Sequence, residues 1–278
     1  MKHDTGIKTS ASLSIQFDNP FSPFPGRDYM RGLQWIKDCG FDGVELIISD
    51  PNLIDVSKIE KAISSMGLEV STIATGQASA LEGLFMASPA EYIREAAFKR
   101  ICDVIDFSVR LGKPNVTVGL IRDTGGAPVN EWSTFILKRE LLRAAEYAMK
   151  KGVVINLEPI NRFECKLLNT TESVYTLLNE IGNPENIGIL FDTFHSNIED
   201  SNVITALENA MDKLVHVHFS DNNRRLPGEG HIDFEGVYKC LKSNNYKGYI
   251  SLEVLNIPDS RHIIEYAGDR MKPYMSGH

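Results

Sequence analysis

Six residues in the second half of the chain could do chemistry together: Glu158, Asp192, His195, His218, Arg224 and Glu253. They occur one after another in the segments INLEPINRFE (155–164), GILFDTFHS (188–196), VHVHFSDNNRR (215–225) and YISLEVL (249–255). Each segment reads as a buried apolar strand that ends in a carboxylate or an imidazole. If the strands lie side by side, Glu158, Asp192, His218 and Glu253 meet at one rim. Three carboxylates held together repel and raise one another's pKa unless a cation sits between them. Three oxygen donors and one imidazole suit Mn²⁺, Mg²⁺ or Co²⁺, with Zn²⁺ as a further option and positions left open for substrate oxygens. The pattern therefore points to one catalytic divalent ion per chain.

Taken singly, these residues have plainer readings. A carboxylate at a strand end often caps the next helix or pairs at the surface. Asp192 could cap the following turn and His195 could pack at the surface. His216 and His218 lie two apart on one strand and so face the same way, one toward the rim and one deeper. Either could be the ligand and the other a core histidine. Glu45, ending GVELI, faces the same rim, where it orients a substrate hydroxyl or serves as a buried hydrogen-bonded strut.

The elements that must position these groups alternate along the chain. Strands are expected at 12–16, 43–47, 69–74, 115–119, 153–158, 187–191, 214–219 and 249–254. Helical periodicity lies between them, most clearly at 90–110, where Ile93, Ala97, Ile101, Val104 and Val109 share a face opposite Arg94, Glu95 and Lys99, and at 132–150. Gly40, Gly67, Gly112, Gly152 and Gly248 precede strands and read as helix stops. The strand-to-helix connections 75–89, 120–131, 159–170 and 219–233 are longer. Short αβ turns with elaborate βα loops describe a single (β/α)8 TIM barrel over residues 1–278, with its reactive groups at the carboxyl ends of the strands. A doubly wound nucleotide-binding sheet is disfavoured, because no GxGxxG follows the first strand and no GxxxxGK[ST] occurs.

Composition bounds the rest. A chain of 278 residues, 42% hydrophobic and 24% charged, can build one large core. A net charge of −8 argues against nucleic acid, whose phosphates need clustered Lys and Arg, and favours a small-molecule substrate. Cys39, Cys102, Cys165 and Cys240 are widely spaced and read as reduced thiols. No apolar run approaches the ~18 residues of a membrane span, and the amino terminus lacks an export-type apolar region. A cytoplasmic location and no membrane partner are expected.

With EPxNRFE at 158–164, FDTFH at 191–195, HxxxxNR at 218–224, GEG at 228–230 and the final strand glutamate Glu253, the chain resembles the xylose isomerase-like TIM-barrel superfamily, in its ketose 3-epimerase branch of the D-tagatose and D-psicose (D-allulose) type. The resemblance covers motifs over 150–255 and strand rhythm throughout. It implies that Glu158, Asp192, His218 and Glu253 bind the metal, which favours His218 over His216. It also implies that Glu158 and Glu253 are the two acid/base residues, and that Glu164, His195 and Arg224 contact substrate oxygens or steady those glutamates. LEVLN departs from the family, which more often has EP after the last glutamate. Homodimers or homotetramers are common in barrels of this kind.

The implied chemistry is epimerisation or isomerisation of a ketose or ketose phosphate through a metal-bound enediolate, in carbohydrate metabolism. Two bases on opposite faces would invert the carbon; return of the proton to the neighbouring carbon would isomerise the sugar. An inosose dehydratase-type lyase is the alternative. An AP endonuclease IV-like nuclease is disfavoured, since VELII, VSTIAT and NVTVGL supply none of the histidines its zinc cluster needs. Residues 75–89, with Leu84, Phe85 and Met86, read as a lid or as a surface loop packing its own tip. Arg224, Arg225 and His231 offer cations for a phosphate.

Overall fold

The structure, a computed structural model, describes residues 6–275; the first five residues and the last three, included in the expected domain, lie outside the described residues. Eight parallel strands close into a barrel in sequence order, with β8 paired back to β1. They are β1 (Lys8–Ser14), β2 (Gly43–Ile47), β3 (Glu69–Ala74), β4 (Asn115–Val118), β5 (Ile155–Leu157), β6 (Ile187–Asp192), β7 (Leu214–Phe219) and β8 (Tyr249–Leu252). The helices are α1 (Tyr29–Asp38), α2 (Val56–Ser65), α3 (Gly76–Glu82), α4 (Glu91–Arg110), α5 (Glu131–Lys151), α6 (Thr171–Glu180), α7 (Thr193–Glu199), α8 (Val203–Ala210), α9 (Phe234–Ser243) and α10 (Ser260–Met271). This is the (β/α)8 barrel that the alternation predicts. Among the described residues no helix is long and apolar enough to cross a membrane.

Local chemistry accounts for most boundaries. Asn130 caps α5 by accepting from the Ser133 backbone N–H, while the Ser133 hydroxyl accepts from the Asn130 N–H. Gly152 ends that helix in the left-handed conformation, as expected. Gly248 does not play this part: Asn245, at φ 56°, takes the left-handed turn after α9, and the Gly248 carbonyl instead accepts from the Lys8 N–H.

Three further expectations change. β1 begins at Lys8 rather than residue 12 and ends at Ser14, because pairing with β8 from Tyr249 onward recruits the polar stretch KTSA. Arg94 is buried rather than solvated on α4, its Nη1 donating to the carbonyls of Ser88 and Pro89 at 2.8 and 2.9 Å. Residues 75–89 hold α3 and do not form an apolar lid: Met86 is fully buried, with its backbone N–H on the Ile121 carbonyl.

The barrel interior departs from the bulky aliphatic filling usual in this architecture. Ser10, Ser12, Glu45, Thr72, Thr117, Asn156, His216, His218 and Ser251 are all buried on these strands. Asn156 donates through Nδ2 to the Thr72 hydroxyl at 3.0 Å, and the Thr72 and Thr117 hydroxyls meet at 3.0 Å. The aliphatic core lies outside, where Ala97, Ile101, Val104 and Ile105 of α4, with Leu137, Leu141 and Ala144 of α5, cover the strands.

Candidate metal centre

The four predicted ligands converge at the carboxyl end of the barrel. Asp192 ends β6 and is in register with His218 of β7, while Glu158 and Glu253 each stand one residue beyond β5 and β8. Their ligand atoms all lie within 4.8 Å of one another. His218 Nδ1 is the common point, 3.5 Å from Glu158 Oε1, 3.4 Å from Glu253 Oε2 and 3.8 Å from Asp192 Oδ2. That nitrogen is buried and has no hydrogen-bond partner.

The electrostatics fit a cation at this point. Burial pushes the Glu158 carboxyl up to about 7, against the pull of His218 and with help from the neighbouring carboxylates Glu253 and Asp192. Burial also opposes charge on Asp192, but the Arg224 guanidinium, helped by His218, outweighs it and holds that carboxyl far below its usual range. Burial alone would neutralise His218; the charges of Glu45 and Glu253 and contacts with Asp192 and Glu158 reverse this and keep the ring protonated. That proton occupies the place where a divalent ion would otherwise balance the carboxylates. A buried orphan nitrogen faced by three carboxylates is the donor set of a mixed oxygen–nitrogen cation site.

Arg224 closes one side. Its backbone is left-handed at φ 60°, and its buried guanidinium donates from Nη1 to Asp192 Oδ2 at 2.8 Å and to Glu253 Oε2 at 3.0 Å. It stacks 4.1 Å over Phe194 and 5.2 Å from Phe21. Nη2 reaches His195 Nε2 at 2.8 Å, and burial holds that imidazole neutral, its pKa pushed down to about 3. The Asn161 side chain touches His195 Nδ1 at 2.8 Å and donates to Glu164 Oε1 at 2.8 Å. Glu164, His195 and Arg224 are thus joined, through Asn161, in one hydrogen-bonded wall.

A cavity of about 230 Å³ opens over this cluster. Glu158, Glu164, His195, His218, Arg224 and Glu253 line one side, and Ile47, Ala74, Thr75, Gln77, Gly119 and Phe21 line the other. His216 is absent from this lining and lies deeper, its ring 5.3 Å from that of His218 and nearly perpendicular to it. Glu45 is also absent, so it does not orient a substrate hydroxyl here. Neither Arg225 nor His231 reaches the cavity, which removes them as phosphate ligands at this centre.

Several residues that hold the site were not singled out from sequence. Arg122 is completely buried; its Nε and Nη2 donate to the Glu158 carbonyl at 3.1 and 2.6 Å and Nη2 also to the Leu168 carbonyl, fixing the start and end of the loop after β5. A Cβ on Gly119 would stand 2.7 Å from Glu158 Oε2, so only glycine leaves that carboxylate its room. Asp221 gathers the loop after β7, accepting from the backbone N–H groups of Asn222, Gly228, Gly230 and Ile232. A Cβ on Gly230 would clash with Asn222 and Asp221 at 2.0 and 2.3 Å, which explains the second glycine of GEG. Only Asn161, inside EPxNRFE, and that glycine carried a sequence signal.

Comparison with known proteins agrees with this geometry. A family model described as "Xylose isomerase-like TIM barrel" matches residues 33–273. An L-ribulose 3-epimerase of Mesorhizobium japonicum is 32% identical over 240 residues, 80% of this chain and 74% of its own. A 3-dehydro-D-guloside 4-epimerase of Escherichia coli is 29% identical over 252 residues, 83% and 88% of the two chains. Among solved structures, a D-allulose 3-epimerase from Methylomonas sp. superposes with a TM-score of 0.82 over 97% of this chain and 98% of that one at 22% identity, a likeness of fold. With the family model spanning most of its length and the Mesorhizobium relative above 30% identity across four-fifths of it, this chain belongs to the xylose isomerase-like TIM-barrel family.

Proposed function

We propose that the chain is a divalent-metal-dependent ketose 3-epimerase acting on an unphosphorylated sugar. The observation that carries this reading is the approach of two glutamates, Glu158 from β5 and Glu253 from β8, to the same orphan imidazole nitrogen at 3.5 and 3.4 Å beneath one cavity. Both relatives support it, since each name places the inverted carbon beside a ketone. Glu158, Asp192, His218 and Glu253 would hold the ion, with Mn²⁺, Mg²⁺ or Co²⁺ matching the donor set. Once bound, the ion supplies the positive charge that makes a proton beside a carbonyl acidic enough to remove.

The chain's own residues do the rest. One of Glu158 and Glu253 removes the C3 proton, and the other returns a proton to the opposite face of the flattened carbon. Arg224, His195 and Glu164 orient the sugar oxygens, and Ile47, Ala74 and Phe21 exclude water from the far side. Among the described residues Arg224 is the one Lys or Arg in the cavity lining, and it already pairs with Asp192 and Glu253. A phosphate dianion therefore finds no spare cation, which supports a free sugar.

Proton exchange followed by NMR in D₂O tests this, using EDTA-stripped protein reloaded with Mn²⁺ for turnover and Mg²⁺ for spectra, against free ketoses, ketose phosphates and inososes. Metal-dependent deuterium at C3 with a C3-inverted free ketose is the expected result. Deuterium at C1 or C2 with an aldose product makes it an isomerase, loss of water a dehydratase, and turnover of phosphates alone overturns the free-sugar reading.

A further inference from the structure

We infer that Glu45 is a positioning residue for the metal centre, fixing which nitrogen of His218 faces the ion. This rests on the metal-centre part of the reading above, not on the identity of the sugar. Glu45 stands mid-way along β2, on the opposite side of the barrel from β7, and is 0% exposed. Its Oε2 lies 3.1 Å from His218 Nε2 and 3.3 Å from His216 Nε2. Among the described residues no Lys or Arg pairs with it. An ionised carboxylate this deep is costly unless hydrogen bonds satisfy it; the two ring nitrogens both meet Oε2, while Oε1 has no hydrogen-bond partner among the described residues.

The consequence follows from the imidazole itself. A neutral ring carries one N–H, and if Nε2–H donates to Glu45, Nδ1 must be the bare nitrogen. Nδ1 is the atom that faces Glu158, Asp192 and Glu253. The carboxylate thus selects the tautomer, fixes the ring plane and makes Nδ1 a stronger donor to a cation. His216 holds the carboxylate in turn: its Nε2–H meets the same oxygen, and its ring stands nearly perpendicular to that of His218. Glu45, His216 and His218 have ligand atoms close enough to hold an ion of their own. That arrangement would turn His218 Nε2 from donor to ligand, so the two assignments make opposite demands on one proton.

The test needs no sugar. Bound metal per chain is counted by elemental analysis, Co²⁺ affinity is measured by chelator competition, and the His218 tautomer is read from ¹⁵N–¹H long-range correlations in Mg²⁺-loaded protein. Wild-type protein should bind one equivalent with the proton on Nε2 of His218. Glu45→Gln, which keeps the shape, should weaken Co²⁺ by about 10–100-fold, with the thermal midpoint of the metal-free protein little changed. Two bound equivalents, a proton on Nδ1 in the loaded protein, or unchanged affinity in Glu45→Gln overturns the inference. The tautomer measurement stands even if the variant fails to fold. Wild-type protein that passes it yet turns over no sugar fails the epimerase reading alone.

Discussion

The two halves of the barrel do different work. At the carboxyl ends of β5 to β8 stand Glu158, Asp192, His218 and Glu253, with Arg224 and His195 wired to them. At the corresponding ends of β2 to β4 stand Ile47, Ala74, Thr75 and Gly119, which carry no charge. The second half gathers the charge and, in the proposed reaction, would transfer the protons; the first forms an uncharged wall that would shape the space and limit water. Strands buried on both faces can end in carboxylates only where a cation balances them. The facing wall carries no charge, with Thr75 and Gln77 as its polar members.

The sharpest way to break this division is to neutralise its charged half. Glu158→Gln and Glu253→Gln should each lower kcat by about 10²–10⁴-fold, the contribution of a positioned acid or base, with unchanged circular dichroism. Near-normal turnover by either variant removes the two-base assignment.

The next test strikes from the wall side. Gly119→Ala places a methyl group 2.7 Å from Glu158 Oε2, so that the carboxylate must move away, and a displacement of up to about 1 Å should reduce kcat on the order of 100-fold. If kcat holds while only KM rises, the wall acts on binding alone.

A smaller effect is expected at the rim of α3. Ala80 lines the cavity and carries no chemistry, so Ala80→Leu should raise KM about tenfold for the longer ketoses while leaving kcat for the shortest one in place. An equal loss for all sugar lengths would place α3 outside substrate selection.

The mildest effect is on the charged half without substrate. The Glu158 pKa is raised from 4.5 to about 7, so its native carboxyl binds a proton more tightly than the unfolded one does. In metal-free protein that contribution to stability is fully present below 4.5 and is lost as pH rises through about 7. Because an ion must displace that proton and the one on His218, the rise in thermal midpoint on adding Mg²⁺ should grow from pH 5 to pH 8. A stabilisation independent of pH would mean that Glu158 is not a ligand.

The charged half was the more legible in sequence, for a physical reason. Buried strands that end in Glu, Asp or His announce both the strand and its end, so 153–158 and 187–191 led to Glu158 and Asp192, while 214–219 left His216 and His218 open until the family motif favoured His218. Glu45, ending GVELI, read equally as a substrate contact or a buried strut; only the closed barrel decides, by bringing it to His216 and His218 across the interior. Arg94 fell on the polar face of its helix and Arg122 drew no notice, because the carbonyls that satisfy them, those of Ser88, Pro89, Glu158 and Leu168, come from irregular segments with no pattern to read. The wall was least legible: α3 is built from small residues whose sequence fits a loop as well as a helix.

The carboxylate of Asp221 has a consequence for the heat of binding. By tying four backbone N–H groups between Asn222 and Ile232 to one side chain, it orders the arm that carries Arg224 when the chain folds. No chain entropy then remains to be lost there when a ligand arrives. Calorimetry of a sugar or analogue should show a small heat-capacity change, set by the surface of the sugar alone; in Asp221→Asn the same titration should turn more exothermic and more entropically opposed, the signature of an arm that must now order itself around its guest.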